Sequence, residues 1–570
     1  MARTMSMDAS RPGRPPGMKL CVGAVLVFVT LSFVLHHGAL GLGWWADDPY
    51  ILECAIFEGP IGFFWDPRVY QRLSMDSFTP MVVPSYAVDY ALAGLDATWF
   101  YAHQLVVLGL VAAGIFLVVQ GWSLAAAFAA GALFLTSGPT TITAQTLMTR
   151  HYLEGAVWAL LCVLLLRCAD RPGWRTRLAG LAYMAAALSK EVYVPLVGVA
   201  PFLPRAGPRA GLRLSLPLWI ALLAYVPLRL YMLAGSPKQW QLPSFEALTP
   251  SWWWRGVHAI ATILFSAAPI GGHSAWFEIG LIGAGIALLA LVLRNGHWLS
   301  CSIIAGCSVL SLIPLWSGLN PELYPGYRAT LHVAVVCSVA FGYLLARAAR
   351  IRMLDRRLRP LPALALGLTA LLVALRGKSA LAEADWKQRR VQSRQIDFLL
   401  AESADKVLVC EETTNFWQAL SRIRKELRGE ATPFVCHMPF DLRGVAARYF
   451  RYSAEEERFV DVTSEFRAVR EGFESQEGDA EFSVDLRVVR GRLSVELDSG
   501  REKATYWLLR GATSNLYERY VVSSKLQAGG FRSPHSWFVR ALKVLDNGRW
   551  VLSPEWELGL ERDQVIHWER

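Results

Sequence analysis

Asp47 and Asp48 stand side by side in the run Trp44-Trp45-Ala46-Asp47-Asp48-Pro49-Tyr50, directly after the first long apolar stretch. Tryptophan is expected there, because its ring settles at the headgroup level of a bilayer. Paired carboxylates are not, because charge beside hydrocarbon is costly and is usually kept for a use. A carboxylate within hydrogen-bond reach of a hydroxyl can act as a general base. The cations that stand out are Arg150, Lys190 and Arg328, each near the end of an apolar run. Guanidinium and ammonium groups both bind phosphate well. Glu191 directly follows Lys190 and can hold it in place, Glu322 lies just ahead of Arg328, and His103 opens another apolar run.

Each of these residues also has a plainer reading. Asp47 can cap a surface helix that begins near Pro49, with Asp48 in its first turn. Lys190 and Glu191 can be an ordinary ion pair at a turn. Arg150 can snorkel to the headgroups, and a lone histidine at a helix start has many structural uses.

The elements that must position these groups are membrane elements. Of 570 residues, 54% are hydrophobic and only 18% charged, and the mean hydropathy is +0.31. A soluble protein carries roughly a quarter charged residues. The net charge of +10 comes mainly from arginines in loops between apolar runs, a positive-inside pattern and not a nucleic-acid surface. The nine cysteines show no Cys-x-x-Cys and no zinc spacing, so neither a metal nor another cofactor is predicted. A divalent ion on Asp47 and Asp48 is the open alternative.

In chain order, 1–18 reads as a basic cytoplasmic tail and 19–376 as a transmembrane domain. Its first helix is uncleaved, and its large first external loop, 41–100, has room for one or two short surface helices. Further spans are expected at 101–119, 123–135, 152–168, 178–188, 192–203, 214–233, 276–293, 299–316, 327–345 and 361–375. That makes about eleven spans, and it places the arginine-rich loops at 167–177, 205–213 and 347–359 inside. The acidic pair, Arg150, Lys190, Glu322 and the C-terminal region then fall outside, and 257–268 has to be a surface or re-entrant helix. From 377 to 570 the composition is that of a soluble mixed α/β domain, mostly β in its second half. Lys406–Cys410 and Pro433–Cys436 read as strands and Phe416–Leu427 as a helix. Period-two alternation marks a hairpin around Arg490-Gly491, and Asp546-Asn547-Gly548 marks a second. Cys410 and Cys436 can form a disulfide in an oxidising compartment, or remain buried thiols.

The layout and several motifs resemble the GT-C superfamily of membrane glycosyltransferases. Asp47-Asp48-Pro49-Tyr50 resembles the acidic pair of protein O-mannosyltransferases, tetratricopeptide-linked mannosyltransferases and aminoarabinose transferases. Phe78-Thr79-Pro80 and Tyr90-x-x-x-Gly94-Leu95 are similar to that family's Tyr-Arg-Pro and Tyr-x-Leu-x-Gly-Leu, and His103 falls where its second helix begins. Met148-Thr149-Arg150-His151-Tyr152-Leu153 resembles the start of its fourth helix, and Leu188-Ser189-Lys190-Glu191 its Ser-Lys-Glu turn. The chain departs from the pattern at Thr79, where the family has arginine, and near Thr140 and Ile142, where it has histidine and glutamate.

The resemblance implies a polytopic α-helical membrane enzyme that passes a sugar from a polyprenyl-phosphate carrier to a protein, lipid or glycan acceptor on the outer face of the plasma (inner) membrane. It implies Asp47 or Asp48 as the base, Arg150, Lys190 and Arg328 on the donor phosphate, and Glu191, His103 and Glu322 in support. Membrane lipids are then partners and nucleic acid is not. Two other functions fit the same residues. One is a transporter or flippase of a lipid-linked saccharide, the other a non-catalytic scaffold with a glycan-binding tail.

Overall fold

The computed structural model describes residues 17–74, 77–203, 208–234, 331–348 and 391–400, and beyond them the strands, helices and adjoining turns given below between 406 and 569. The expected spans at 276–293, 299–316 and 361–375, the helix at 257–268, Glu322, Arg328 and the expected boundary at 377 lie outside the described residues. The chain divides into two compact units. One comprises 1–42, 63–67 and 74–386, the other 43–62, 68–73 and 387–570.

The first unit is helical. Its described helices are α1 (Met18–His36), α4 (Val82–Ala93), α5 (Ala97–Val119), α6 (Leu124–Thr136), α7 (Gly138–Ala144), α8 (Arg150–Arg167), α9 (Trp174–Ser189), α10 (Leu196–Val199), α11 (Pro208–Leu214), α12 (Leu216–Met232) and α13 (Leu331–Ala348). The short helices α2 (Asp48–Phe57) and α3 (Pro67–Leu73) precede α4. The loop at 41–100 thus forms three α-helices, where one or two were expected.

Among the described residues, three helical stretches are long and apolar enough to cross a membrane: Met18–Gly41, Ala97–Val119 and Leu147–Arg167. At about 1.5 Å per residue, each spans the roughly 30 Å of a hydrocarbon core. The expected span at 123–135 is instead the first arm of a bent pair, α6 and α7, which meet at 57°. Ser137-Gly138-Pro139 makes the break, since proline suits the start of a new helix and not the interior of a running one. The expected span at 192–203 is a broken run of 3-10 and α turns, Glu191–Phe202, with Pro195 and Pro201 interrupting it.

Caps set the starts. Asp96 accepts Thr98 N–H at 3.0 Å to open α5, and Ser123 accepts Ala126 N–H at 3.4 Å to open α6. The core gathers Phe28 of α1, Leu105, Leu108, Val111 and Phe116 of α5, Phe134 of α6 and Leu153 and Leu160 of α8. Gly109 lets α1 and α5 touch: a Cβ there would lie 2.5 Å from the Val29 Cα. Leu26, Val34, Leu181 and Leu223 are exposed, as side chains facing lipid would be.

The second unit holds the sheets. The strands β1 (Lys406–Cys410), β2 (Phe434–Cys436), β3 (Arg448–Ser453) and β4 (Arg458–Asp461) lie in the order β2-β1-β3-β4. β1 is parallel to β2 and β3, and β3 is antiparallel to β4. The helix α14 (Phe416–Arg428) makes the crossover from β1 to β2 that a parallel pair requires. Cys410 and Cys436 are register partners on those neighbouring strands. The helix α15 (Thr463–Glu474) follows β4.

Beyond it come β5 (Ser483–Val489), β6 (Arg492–Leu497), β7 (Thr505–Gly511), β8 (Arg519–Val522), β9 (Lys525–Ala528), β10 (Trp537–Val544), β11 (Trp550–Leu552), β12 (Trp556–Leu558) and β13 (Gln564–Glu569). They form two antiparallel sheets, β13-β5-β6-β9 and β11-β10-β7-β8, with β12 also on β10. The two expected hairpins are β5–β6, with Val489 opposite Arg492, and β10–β11, with Val544 opposite Trp550.

Candidate active site

The motif residues of the first unit meet in two adjoining places. Glu191 Oε1 accepts the Phe78 N–H at 3.0 Å and Arg229 Nε–H at 2.6 Å. The Met81 N–H reaches the Leu188 carbonyl at 3.5 Å. Phe78-Thr79-Pro80 and Ser189-Lys190-Glu191 are therefore hydrogen-bonded to each other across more than a hundred residues of chain. The Lys190 ammonium lies 3.5 Å from the Ser77 hydroxyl and 5.0 Å over the Tyr152 ring, so the start of α8 joins the same group.

Glu191 does not hold Lys190, as its neighbouring position had suggested. Lys190 is extended (φ −158°, ψ 136°) at the end of α9, and Glu191 begins a 3-10 turn. Glu191 is taken by Arg229 of α12 and by backbone. Among the described residues Lys190 has no carboxylate partner, and its ammonium faces the Ser77 hydroxyl and the Tyr152 ring.

The second place is built on Arg150. Its side chain is fully buried, and its first Nη donates to Asp89 Oδ2 and, at 3.2 Å, to the Ser85 hydroxyl. The other Nη donates to the Phe100 carbonyl at 2.6 Å. The rings of Tyr86 and Phe100 flank the guanidinium at 5.0 and 5.7 Å. Asp89 Oδ1 lies 2.8 Å from His103 Nδ1, and a carboxylate can only accept there, so His103 carries its proton on Nδ1. Glu154, one turn along α8 from Arg150, bonds to Ser85.

Arg150 is thus not snorkelling at a surface, and a phosphate would have to displace Asp89 to pair with it. Asp89 was not singled out from the sequence. The available signal was an acid inside the otherwise apolar helix Val82–Ala93, since ionisable residues in such helices are rare and usually functional. Gly94, which ends that helix at φ +59°, takes a conformation that side chains rarely adopt.

The acidic pair belongs to the second unit and opens α2. Asp47 occupies the N-cap position but its side chain makes no capping bond. It is exposed. Asp48 is buried, and its Oδ2 accepts the Trp45 N–H at 3.0 Å. The pair therefore splits into one carboxylate presented outward and one built into the fold. Ala46 just before it is left-handed, at φ +51°. Glu53, one turn on, pairs with Arg422 at 2.9 Å. Burial raises the Glu53 carboxyl above the usual range, while Arg422 draws it back.

Among the described residues no group of three His, Cys, Asp or Glu side chains is placed to hold a metal ion. No family profile matches the chain, and no curated protein matches it. Among solved structures, the chain is similar to the crystal structure of ArnT from Cupriavidus metallidurans bound to undecaprenyl phosphate. The identity is 13% and the TM-score 0.39, over 76% of this chain and 94% of that one.

Proposed function

We propose that this chain is a GT-C-type glycosyltransferase of the membrane, taking a sugar from a polyprenyl-phosphate donor. The observation that carries the reading is the meeting of separate motifs. Phe78-Thr79-Pro80, the Tyr152 end of the α8 motif and Ser189-Lys190-Glu191 close on one another around a lysine without a described counter-ion. Motifs matched by chance in a long apolar sequence have no reason to touch.

In this reading Asp47 is the general base, because it is the exposed member of the pair. It takes the proton of an acceptor hydroxyl as that oxygen attacks the anomeric carbon. The bond from that carbon to the phosphate oxygen breaks, and polyprenyl phosphate leaves as the anion. Lys190 neutralises the leaving phosphate. Asp48 holds the turn through Trp45, and Arg150 with Asp89 holds His103 and braces α4, α5 and α8. Arg328 and Glu322 keep their proposed roles near the donor.

The test is transfer by purified protein in lipid, with a panel of polyprenyl-phosphate sugars. Asp47→Asn is expected to cost about 10²- to 10⁴-fold in kcat while leaving donor affinity in place. Lys190→Met is expected to weaken binding of sugar-free polyprenyl phosphate as well. Full transfer by Asp47→Asn would remove the base assignment, and no transfer by the unaltered protein from any donor would remove the reading.

A further inference from the structure

The segment carrying the acidic pair is covalently continuous with α1, yet it packs as part of the unit formed by 387–570. Several contacts clamp it there. A Cβ on Gly43 would stand 2.1 Å from the Ser393 Oγ, so the backbone runs directly against the helical residues 391–400. Trp44 is buried at 2% exposure, and the Ala46 N–H reaches Gln392 Oε1 at 3.4 Å. Ala46 itself is held at φ +51°, a conformation a non-glycine residue keeps only when its surroundings enforce it.

On the other side of the acids, Arg422 of α14 grips α2. Its guanidinium bonds Glu53 at 2.9 Å, stands 3.7 Å from Glu58 and stacks 4.5 Å over the Phe57 ring. Arg72 of α3 closes the same group by pairing with Glu58. Asp47 therefore stands between two anchors, both supplied by the C-terminal part of the chain.

We infer that the C-terminal unit is the support that sets the position of Asp47, with Arg422 as the positioning residue. The inference rests on the glycosyltransferase reading for what Asp47 does, but the clamp can be measured without it. A base must sit within hydrogen-bond reach of its hydroxyl, and a misplacement of about 1 Å from a distant mutation can cost on the order of a hundredfold. A loop tethered only at its ends could not hold such tolerance.

The experiment uses the full chain in lipid nanodiscs, as wild type, Arg422→Ala, Arg422→Glu and the swapped pair Arg422→Glu/Glu53→Arg. Deuterium uptake is followed in peptides covering 43–58, with the β1–β3 core as the folding control. Arg422→Ala and Arg422→Glu are expected to raise uptake across 43–58 with the core unchanged, and the swapped pair to restore protection. The same variants are expected to lose roughly 10- to 100-fold in kcat with little change in donor KM, recovered in the swapped pair.

Unchanged uptake in 43–58 overturns the clamp. Raised uptake with undiminished transfer overturns the positioning role and leaves the enzyme reading intact. If the unaltered protein transfers no sugar, that reading fails separately, and the uptake data alone decide whether Arg422 holds the segment.

Discussion

Asp89 and Arg150 form a buried ion pair in the helical unit. Both side chains are nearly inaccessible, at 2% and 0%. Removing one partner of such a pair leaves a buried charge uncompensated, which typically costs about 3–5 kcal/mol. Asp89→Asn is therefore expected to lower the unfolding temperature in detergent sharply, and the double change Asp89→Leu/Arg150→Met to recover much of that loss. If the double variant is no better than the single one, the pair is doing more than bracing α4, α5 and α8.

Asp461 gives a residue-scale prediction of another kind. The Thr463 hydroxyl and Arg448 hold its carboxyl down to about 2, from an ordinary 3.8. A depressed folded value means stability that is present above the unfolded value and lost as pH falls through the folded one. Stability of the sheet unit is expected to fall between pH 3.8 and about 2, and Asp461→Asn to remove that portion of the pH dependence in an unfolding titration. The pairing of Asp89 with Arg150 had no counterpart in the linear pattern, because 61 residues separate them. Asp47 and Asp48 were conspicuous as a dipeptide, but which one faces outward depends on how the chain turns at Ala46.

At the scale of elements, close approach of helices is the feature most open to test. Without a solvent-driven hydrophobic term between them, helices in lipid associate through packing, and small residues allow it. A Cβ on Gly109 would meet Val29 backbone atoms at 2.5 and 2.8 Å. Gly109→Leu is expected to cost about 1–3 kcal/mol by overpacking, read as a lower melting temperature. Gly121→Ala, where nothing lies within 4 Å, is expected to be close to neutral.

The strands β1 and β2 and the hairpins β5–β6 and β10–β11 were legible because alternation and Asp-Asn-Gly chemistry are local, whereas β3, β4, β7, β8, β9, β12 and β13 were found only in the structure. The helices α5 and α8 were legible because a single apolar run exceeds a bilayer's thickness. The break between α6 and α7 was written in Ser137-Gly138-Pro139, but hydropathy alone joins what proline and glycine divide. The broken run Glu191–Phe202 failed as a simple span for the same reason.

For the whole molecule, two compact units predict more than one unfolding transition. Calorimetry between pH 3.8 and about 2 is expected to move the transition of the Asp461-bearing unit, and Asp461→Asn to reduce that movement. The same movement with and without Asp461 would overturn the assignment.

By itself the sequence determined what depends on neighbours along the chain: the apolar runs that suit a membrane, the change to a water-soluble composition toward the C-terminus, the alternating strands, and the acidic dipeptide with its tryptophans. Only the tertiary structure decided that residues 43–62 fold with the C-terminal part, that Glu191 turns to Arg229, and that Arg150 is committed to Asp89. The physical reason is that burial and pairing are settled by which surfaces come together in space. Composition and periodicity record only what each segment needs, and not which partner supplies it.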